Sequence, residues 1–322
     1  MKKFAAAVAV VFCGVRLTAQ QPAFKAGVEV VRIPVSVMRS GEPVVDGLAA
    51  ADFTIKEDGV AQSITLFEHE TVPLSVCIAV DVSSSMSQVP TGLVAAAISS
   101  VSAELAESDE LTLITFAQTS QVLVPWSSPA AAARLNLTAE IAGTTSLNDA
   151  ARGALAMLES ARNPRAVVLL ITDGFDTSSR TRLQDVVKSR RQSEALVYAF
   201  TVAPDPAATR VERFGTDVSA VPGSPPLMAP RADNISTVSE LVGDSGGTSY
   251  LLTNAADAPR SARRFVNELR HQYTLGYTPA TTFDGKYRRV KVEVQKRGYQ
   301  IRHRGGYLAL PSQAPGPKPQ AP

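Results

Sequence analysis

Apolar and polar positions alternate near both ends of the chain. From Val28 to about Glu70, valines and isoleucines alternate with polar residues, and the pairs Asp46-Gly47 and Asp58-Gly59 interrupt the pattern. A period of two predicts strands that bury one face, and Asp-Gly pairs between strands predict tight hairpin turns. The same pattern returns after Gln272. It predicts strands at Tyr273–Tyr277, Tyr287–Val294 and Tyr299–His303.

The middle of the chain shows continuous apolar runs that alternate with helical segments. Runs that are apolar on both faces predict a buried, mostly parallel sheet covered by helices. The predicted strands are Leu74–Val80, Leu111–Phe116, Ala166–Ile171 and Ala195–Val202, with an antiparallel edge strand at Gln121–Val124. The predicted helices are Val89–Ala106, Leu147–Ala161, Arg182–Ser193 and Ser236–Val242. The fold class is therefore α/β, with a doubly wound, Rossmann-like sheet whose ligand site lies at the carboxyl ends of its strands.

The first residues have the pattern of a secretory signal peptide. Two lysines precede the apolar run Phe4–Val15, and small residues lead to a cleavage point after Ala19. The run is shorter than the roughly 20 residues that a membrane-spanning helix needs. We therefore expect residues 1–19 to be removed, leaving an exported protein, periplasmic or extracellular, with no membrane span in the mature chain.

The remaining chain divides into an N-terminal β segment (20–72), an α/β domain (73–271) and a C-terminal β segment (272–310). A proline-rich loop, 203–236, interrupts the α/β domain, and a disordered Pro-rich tail follows at 311–322. Each β segment alone has too few strands to bury a stable face. We therefore expect both to form one small β module into which the α/β domain is inserted. In that module, Tyr273–Tyr277 and Val290–Val294 are expected to extend a sheet begun by Val28–Ile33.

Charge and cysteine content limit the chemistry. The 322 residues include 32 basic and 30 acidic side chains. The chain therefore lacks the large positive excess that would predict nucleic-acid binding. Three histidines and two cysteines leave little material for His/Cys metal centres or a disulfide framework. Loss of residues 1–19 removes Cys13 and leaves Cys77 alone within a predicted strand, where a buried thiol is expected. The sequence carries no indication of oligomeric state.

Oxygen-bearing side chains follow two of the predicted strands and precede one predicted helix at the same edge. Asp81, Ser83 and Ser85 follow the first strand, Thr145 precedes a helix, and Asp173 ends a later strand. Two carboxylates and three hydroxyls suit a hard cation such as Mg²⁺, which prefers oxygen ligands and keeps water with few carboxylates. Helix N-capping by Ser85 or Ser87 would explain the first motif without a metal. The conjunction of all five residues favours the metal site, with one position left for a carboxylate from a partner.

These residues resemble the metal-ion-dependent adhesion site of von Willebrand factor A domains. All five positions of that site match: Asp81, Ser83, Ser85, Thr145 and Asp173. Thr145 is aligned rather than Thr144 because Leu147 fixes the register, although Thr144 stands where the family commonly has glycine. The resemblance implies the A-domain fold, bound Mg²⁺ with Mn²⁺ as a substitute, and cell-adhesion-like binding of an Asp or Glu carboxylate on a protein partner. It implies no enzymatic activity.

The flanking segments resemble an A-domain-related family of acidobacterial type. Its leading segment is similar to Asp52-Phe-Thr-Ile-Lys-Glu-Asp-Gly59, and its tail is similar to Glu268–Pro279 and Gly305-Gly-Tyr307. The resemblance covers roughly residues 28–310. It implies the fold, the metal and adhesion-like binding, and leaves the partner open.

Three alternatives remain. A Mg²⁺-dependent phosphoryl-transfer enzyme can place Asp-x-Asp at this strand end, but Ser83 stands where the second, proton-transferring carboxylate is needed, and no phosphate-binding loop occurs. An interaction module with a vestigial metal site would keep the fold without the ion. The segment Gly243-Asp-Ser-Gly-Gly247 copies the nucleophile motif of trypsin-like proteases, yet it lacks a suitable general-base histidine, and a helix end with a glycine turn explains it.

Overall fold

The computed structural model describes residues 30–69, 71–90, 92–132, 141–193, 195–203, 232–280 and 283–310, with the side chains of 232–236 left aside. The predicted signal peptide, the predicted tail and residues 204–231 of the predicted loop lie outside these ranges. Among the described residues, no helix is long and apolar enough to cross a membrane.

Fifteen strands occur in the described chain. They are β1 Val31–Arg39, β2 Glu42–Pro43, β3 Phe53–Glu57, β4 Val60–Gln62, β5 Leu66–Glu68, β6 Leu74–Asp81, β7 Glu110–Phe116, β8 Ser120–Ser127, β9 Arg165–Thr172, β10 Leu196–Val202, β11 Ser249–Leu252, β12 Gln272–Tyr277, β13 Tyr287–Val294, β14 Tyr299–His303 and β15 Gly306–Leu308. The strands predicted from continuous apolar runs are confirmed to within one residue at each end, because burial on both faces leaves a clear sequence signal.

Six α-helices are described. They are α1 Leu93–Glu104, α2 Pro129–Ala132, α3 Leu147–Met157, α4 Leu183–Gln192, α5 Ala232–Val242 and α6 Ala258–Arg270. Short 3₁₀ helices occupy Ala50–Asp52, Ser84–Gln88, Leu158–Ser160 and Ala255–Asp257. Three predicted boundaries were wrong. Helix α3 ends at Met157 rather than at Ala161, and a 3₁₀ turn follows it. Helix α1 begins four residues later than predicted, after Gly92 in a left-handed conformation, and α5 begins at Ala232, inside the segment predicted as loop.

The central sheet has the order β11-β10-β9-β6-β7-β8. Its strands are parallel except β8, which pairs antiparallel with β7 as predicted. Every residue of β6 is buried, because alternate side chains pack on opposite sides of the sheet. Val76 and Ile78 contribute to a core with α1 and α6, whereas Cys77 and Ala79 contribute to a core with α3, α4 and α5. The structure is thus a mixed α/β sheet with helices on both faces.

Strands from the two ends of the described chain pair with one another. Strand β1 lies between β12 and β14 in one sheet, and β3 pairs with β13 in a second sheet of order β15-β13-β3-β4. Apolar residues of both sheets share one core, in which Ile33, Ile55 and Tyr277 are fully buried. The expectation that Val290–Val294 extends the sheet of Val28–Ile33 was wrong, because β13 belongs to the second sheet. Two small sheets with one apolar face each bury those faces against each other.

The single cysteine of the described chain is a core residue. Cys77 is fully buried in β6, and burial raises the pKa of its thiol to about 12. A thiol with so high a pKa is protonated and unreactive at neutral pH. Cys77 therefore packs as a small apolar side chain.

Candidate metal centre

Asp81 is the last residue of β6 and lies at the carboxyl edge of the central sheet. Strand β6 runs parallel to β9 with Val80 opposite Ile171, so the next residue along each strand is Asp81 and Thr172. The Thr172 hydroxyl donates a hydrogen bond of 2.7 Å to Asp81 Oδ2. The Asp81 side chain is almost wholly enclosed, with 2% of the residue exposed. The register of β6 against β9 therefore fixes the position of the Asp81 carboxylate.

The two serines occupy the turn that follows Asp81. The Ser83 backbone N–H donates to Asp81 Oδ1 at 2.9 Å, which folds the loop back on the strand end. The Ser83 and Ser85 hydroxyl oxygens lie 3.1 Å apart. Ser83 is buried, whereas Ser84 between them is exposed. The hydroxyls of Ser83 and Ser85 therefore lie on the same side of the turn.

Asp173 meets this turn from the neighbouring strand. It follows the last residue of β9, and its carboxylate accepts a hydrogen bond from the Ser85 hydroxyl. The Phe175 backbone N–H also donates to Asp173 Oδ1, at 3.2 Å. Asp81, Ser83, Ser85 and Asp173 therefore form one hydrogen-bonded group at the sheet edge.

Thr145 is held beside this group by backbone hydrogen bonds between loops. Ser84 N–H donates to the Gly143 carbonyl at 3.0 Å, and Gly143 has a φ of +83°, a conformation that favours glycine. Thr145 is 3% exposed, whereas the neighbouring Thr144 is exposed. The side chain turned into the protein is therefore that of Thr145.

The electrostatics of the group favour a bound cation. Burial raises the pKa of Asp81 to about 6, and the negative charge of Asp173 contributes in the same direction. Burial also raises the pKa of Asp173. Asp81 is buried and Asp173 is half-buried, and the donors to both are neutral hydroxyl and amide groups. Two such neighbouring carboxylates are costly to ionise, and a divalent cation would remove that cost. The donor set, carboxylate and hydroxyl oxygen, fits Mg²⁺.

Histidine and cysteine do not contribute to a competing site. Within the described ranges, no group of three or more His, Cys, Asp or Glu side chains is placed to hold a metal ion. The candidate site differs because hydroxyls supply much of its oxygen.

Residues that the sequence argument did not use hold the site together. The Thr145 carbonyl accepts hydrogen bonds from the backbone N–H groups of Thr177 and Ser178, at 2.8 and 2.9 Å. At the start of α3, Asp149 accepts the N–H groups of Arg180 and Thr181, each at 2.9 Å. The loop after Asp173 is thus fastened to α3, and the run of Asp, Ser and Thr at 176–181 was the signal available in the sequence.

The protease-like segment has a structural role. Ser245 is 4% exposed, and its hydroxyl donates to the Val242 carbonyl at 2.6 Å, at the end of α5. The same oxygen accepts the Gly247 N–H at 3.1 Å, and Gly246 has a φ of +92°. A serine enclosed in a helix-to-strand turn is not placed to attack a substrate.

A family comparison matches the central part of this fold. Residues 76–175 match the family model of the von Willebrand factor type A domain, a segment that runs from β6 through the loop after β9. This segment is therefore similar to von Willebrand factor type A domains. No curated protein matches the chain.

Solved structures also align with the chain. An aerotolerance-related membrane protein from Bacteroides fragilis NCTC 9343 is 20% identical with a TM-score of 0.43, over 61% of this chain and 99% of that one. The conserved hypothetical protein BatB from Bacteroides thetaiotaomicron is 20% identical with a TM-score of 0.44, over 61% and 98%. A von Willebrand factor type A protein from Catenulispora acidiphila is 13% identical with a TM-score of 0.47, over 89% and 73%.

Proposed function

We propose that this chain is a non-enzymatic, metal-dependent protein-binding module. A Mg²⁺ ion would be held by Asp81, Ser83, Ser85, Thr145 and Asp173, and would bind an Asp or Glu carboxylate of a protein partner. The observation that carries the proposal is the hydrogen-bonded group in which Asp81, Ser83, Ser85 and Asp173 meet at the carboxyl edge of the sheet. Interaction modules are the usual role of this domain type.

The chain's own residues position the donor atoms. Thr172 and the Ser83 N–H orient Asp81, while Ser85 and the Phe175 N–H orient Asp173. When bound, the cation would supply a positive centre that attracts an anionic oxygen. Hydroxyl ligands are neutral, so they leave more of that positive charge for a partner than carboxylate ligands do. Ser83 also occupies the place where a phosphoryl-transfer enzyme needs a second acid.

Calorimetric titration with Mg²⁺ and Mn²⁺ tests the metal site. We expect binding by the wild type and loss of heat in Ser83→Ala/Ser85→Ala, because two donor hydroxyls are removed. Ser84→Ala is the matched control, since Ser84 lies between them and is exposed. Equal heats for all three proteins would contradict the proposal, and no heat in the wild type would favour the vestigial site.

Affinity capture tests the partner class. Partners retained in Mg²⁺ and released by EDTA are expected for the wild type and not for Asp81→Ala. Amidation of partner carboxylates is expected to abolish retention. Turnover of phosphate esters that disappears in Asp81→Ala would instead support the phosphoryl-transfer alternative.

We also propose that the protein is exported and that its α/β domain is inserted into a small β module formed by the two β segments. Export rests on the pattern of residues 1–19, and a mature N-terminus at or near Gln20 in secreted or periplasmic material is the expected result. The layout rests on the pairing of β1 with β12 and of β3 with β13. Deletion of residues 20–72 is therefore expected to make 272–310 protease-sensitive, and a tail that keeps its protection would argue against a shared module. The proposal includes a doubly wound central sheet and membership of the A-domain-related family of acidobacterial type.

A further inference from the structure

A buried arginine with two unsatisfied side-chain nitrogens lies on α4, outside the candidate metal centre. Arg190, near the end of α4, is only 4% exposed. Its Nε and Nη1 atoms are both enclosed and have no hydrogen-bond acceptor among the described residues. Burying an ionised group without a partner is costly. Something that accepts hydrogen bonds or carries negative charge is therefore expected beside Arg190.

Arg190 borders a small cleft between α4, the turn after α5 and the turn before β15. The charged residues around this cleft are three arginines, Arg190, Arg191 and Arg304, against one aspartate, Asp244. The other lining residues are uncharged. The cleft therefore has an excess of positive charge.

The one aspartate is already engaged elsewhere. Asp244 Oδ2 accepts Arg191 Nη2 at 3.1 Å, and the Asp244 carbonyl accepts the Gly305 N–H at 2.8 Å. A Cβ on Gly305 would lie 2.9 Å from Asp244 Oδ1, so the two turns are packed closely and leave Asp244 little freedom to move. Among the described residues, Asp244 forms its ion pair with Arg191 and accepts no hydrogen bond from Arg190, although its negative charge also acts on Arg190.

The size of the cleft selects the anion. Its volume is about 10 Å³, which is close to the smallest space that holds one water molecule. Phosphate, sulfate and the carboxylate of a metabolite are too large for such a space. A halide ion is larger than water, but it is smaller than these polyatomic anions and carries the negative charge that would compensate the arginines.

We propose that this cleft binds a single chloride ion, held by the guanidinium of Arg190 with the positive charge of Arg191 and Arg304. The ion would link α4 to the turn before β15, and thus the α/β sheet to the strands at the end of the chain. It would stabilise the native state by mass action.

Thermal unfolding in chloride and in gluconate at equal ionic strength tests this site. Gluconate is too large to enter, so we expect the thermal midpoint to be roughly 2–4 °C higher in chloride, with saturation. The difference is expected to vanish in Arg190→Met. Lys188→Met is the control, because Lys188 is exposed on the same helix. Equal midpoints of the wild type in both salts would overturn the proposal and leave water as the acceptor.

Crystals of the wild-type protein grown with bromide give a second test that does not depend on a folded variant. Bromide scatters anomalously and replaces chloride. An anomalous peak within hydrogen-bond distance of the Arg190 nitrogens is the expected result, and a water molecule there without anomalous signal would refute chloride binding.

Discussion

The two ends of the central sheet each bury carboxylates, and they treat them differently. At the amino end, Asp109 and Glu110 stand before and at the start of β7, where arginines and backbone N–H groups surround them. At the carboxyl end, Asp81 and Asp173 face each other with hydroxyl and amide donors. All belong to the same layer of parallel strands, so the difference lies in the groups that each end supplies.

At the amino end, every carboxylate is compensated. Asp109 accepts Arg270 Nη2 at 2.6 Å, Ala106 N–H at 2.7 Å and Leu74 N–H at 2.9 Å. Burial acts to raise the pKa of Glu110, but hydrogen bonds from Arg162 and Ser75 and the charge of Arg162 outweigh it, so the pKa is lowered. Donors within the chain therefore satisfy both carboxylates.

At the carboxyl end, the net effect has the opposite sign. The pKa of Asp81 is raised to about 6 because burial and the nearby Asp173 outweigh the hydrogen bonds from Ser83 and Thr172. A buried carboxylate with a raised pKa destabilises the folded state at neutral pH unless a cation binds. The comparison indicates that structural carboxylates are compensated within the chain, whereas the candidate site leaves compensation to a ligand.

Glu268 shows the same rule on α6. It is 1% exposed and accepts hydrogen bonds from Tyr198 and Tyr250, each at 2.9 Å. It also forms an ion pair with Arg302 on β14. Its position inside the fold is as deep as that of Asp81. Because arginine and tyrosine donors satisfy it, burial alone does not mark a binding site.

Asp109→Ala is expected to have the largest effect on stability. The substitution leaves two backbone N–H groups and the largely enclosed Arg270 side chain, 17% exposed, without the Asp109 carboxylate. Breaking a buried pair costs about 3–5 kcal/mol. Urea unfolding in EDTA measures this loss. The folded variant is expected to bind Mn²⁺ as the wild type does, and a loss of Mn²⁺ affinity would mean that the two ends are not independent.

Asp81→Asn is expected to stabilise the metal-free protein at pH 7. The folded-state pKa of about 6 exceeds the ordinary value of 3.8, so the stability from this group is full below pH 3.8 and is lost as pH rises through 6. Removal of the charge should restore about 1–2 kcal/mol, less than the full shift because the amide fits the Thr172 hydroxyl less well. Urea unfolding in EDTA is the measurement. Mn²⁺ should stabilise the wild type and not the variant, and an unchanged Mn²⁺ response would contradict this role of Asp81.

Metal affinity is expected to fall as the pH is lowered through the titration of Asp81. Protonated Asp81 cannot serve as an anionic ligand, so affinity for Mn²⁺ should fall by about tenfold per pH unit below pH 6 and level off above it. Calorimetry between about pH 5 and 8 gives the profile. A flat profile would place the metal away from Asp81.

The sequence predicted the carboxyl end better than the amino end. Asp81, Ser83, Ser85 and Asp173 lie within two short segments at the ends of apolar strands, and parallel pairing brings such ends together. The support from Thr177 and Asp149 was missed, since those hydrogen bonds involve backbone groups that no motif records. The Asp109 pair was missed because Arg270 lies 161 positions away along the chain.

The two small sheets show a further limit. Alternation predicted β1, β12, β13 and β14, but it identifies a buried face and not the sheet to which that face belongs. Val290–Val294 fits either sheet by pattern, and only the register with Phe53–Glu57 decides. The anion cleft was likewise beyond the sequence, because Arg190 and Arg191 look like any exposed helix pair until the fold buries one of them.

Arg162→Ala is expected to have the smallest effect, although Arg162 forms the ion pair of Glu110. The Arg162 side chain is 76% exposed, and solvent screening limits such pairs to about 0–1 kcal/mol. The Ser75 hydroxyl at 2.7 Å and the Arg162 backbone N–H at 2.6 Å would still compensate Glu110 after the substitution. Urea unfolding should therefore show a loss well below that of Asp109→Ala, and the loss should shrink further at high salt. A loss as large as that of Asp109→Ala would show that charge from the exposed arginine, rather than the enclosed donors, keeps the amino end stable.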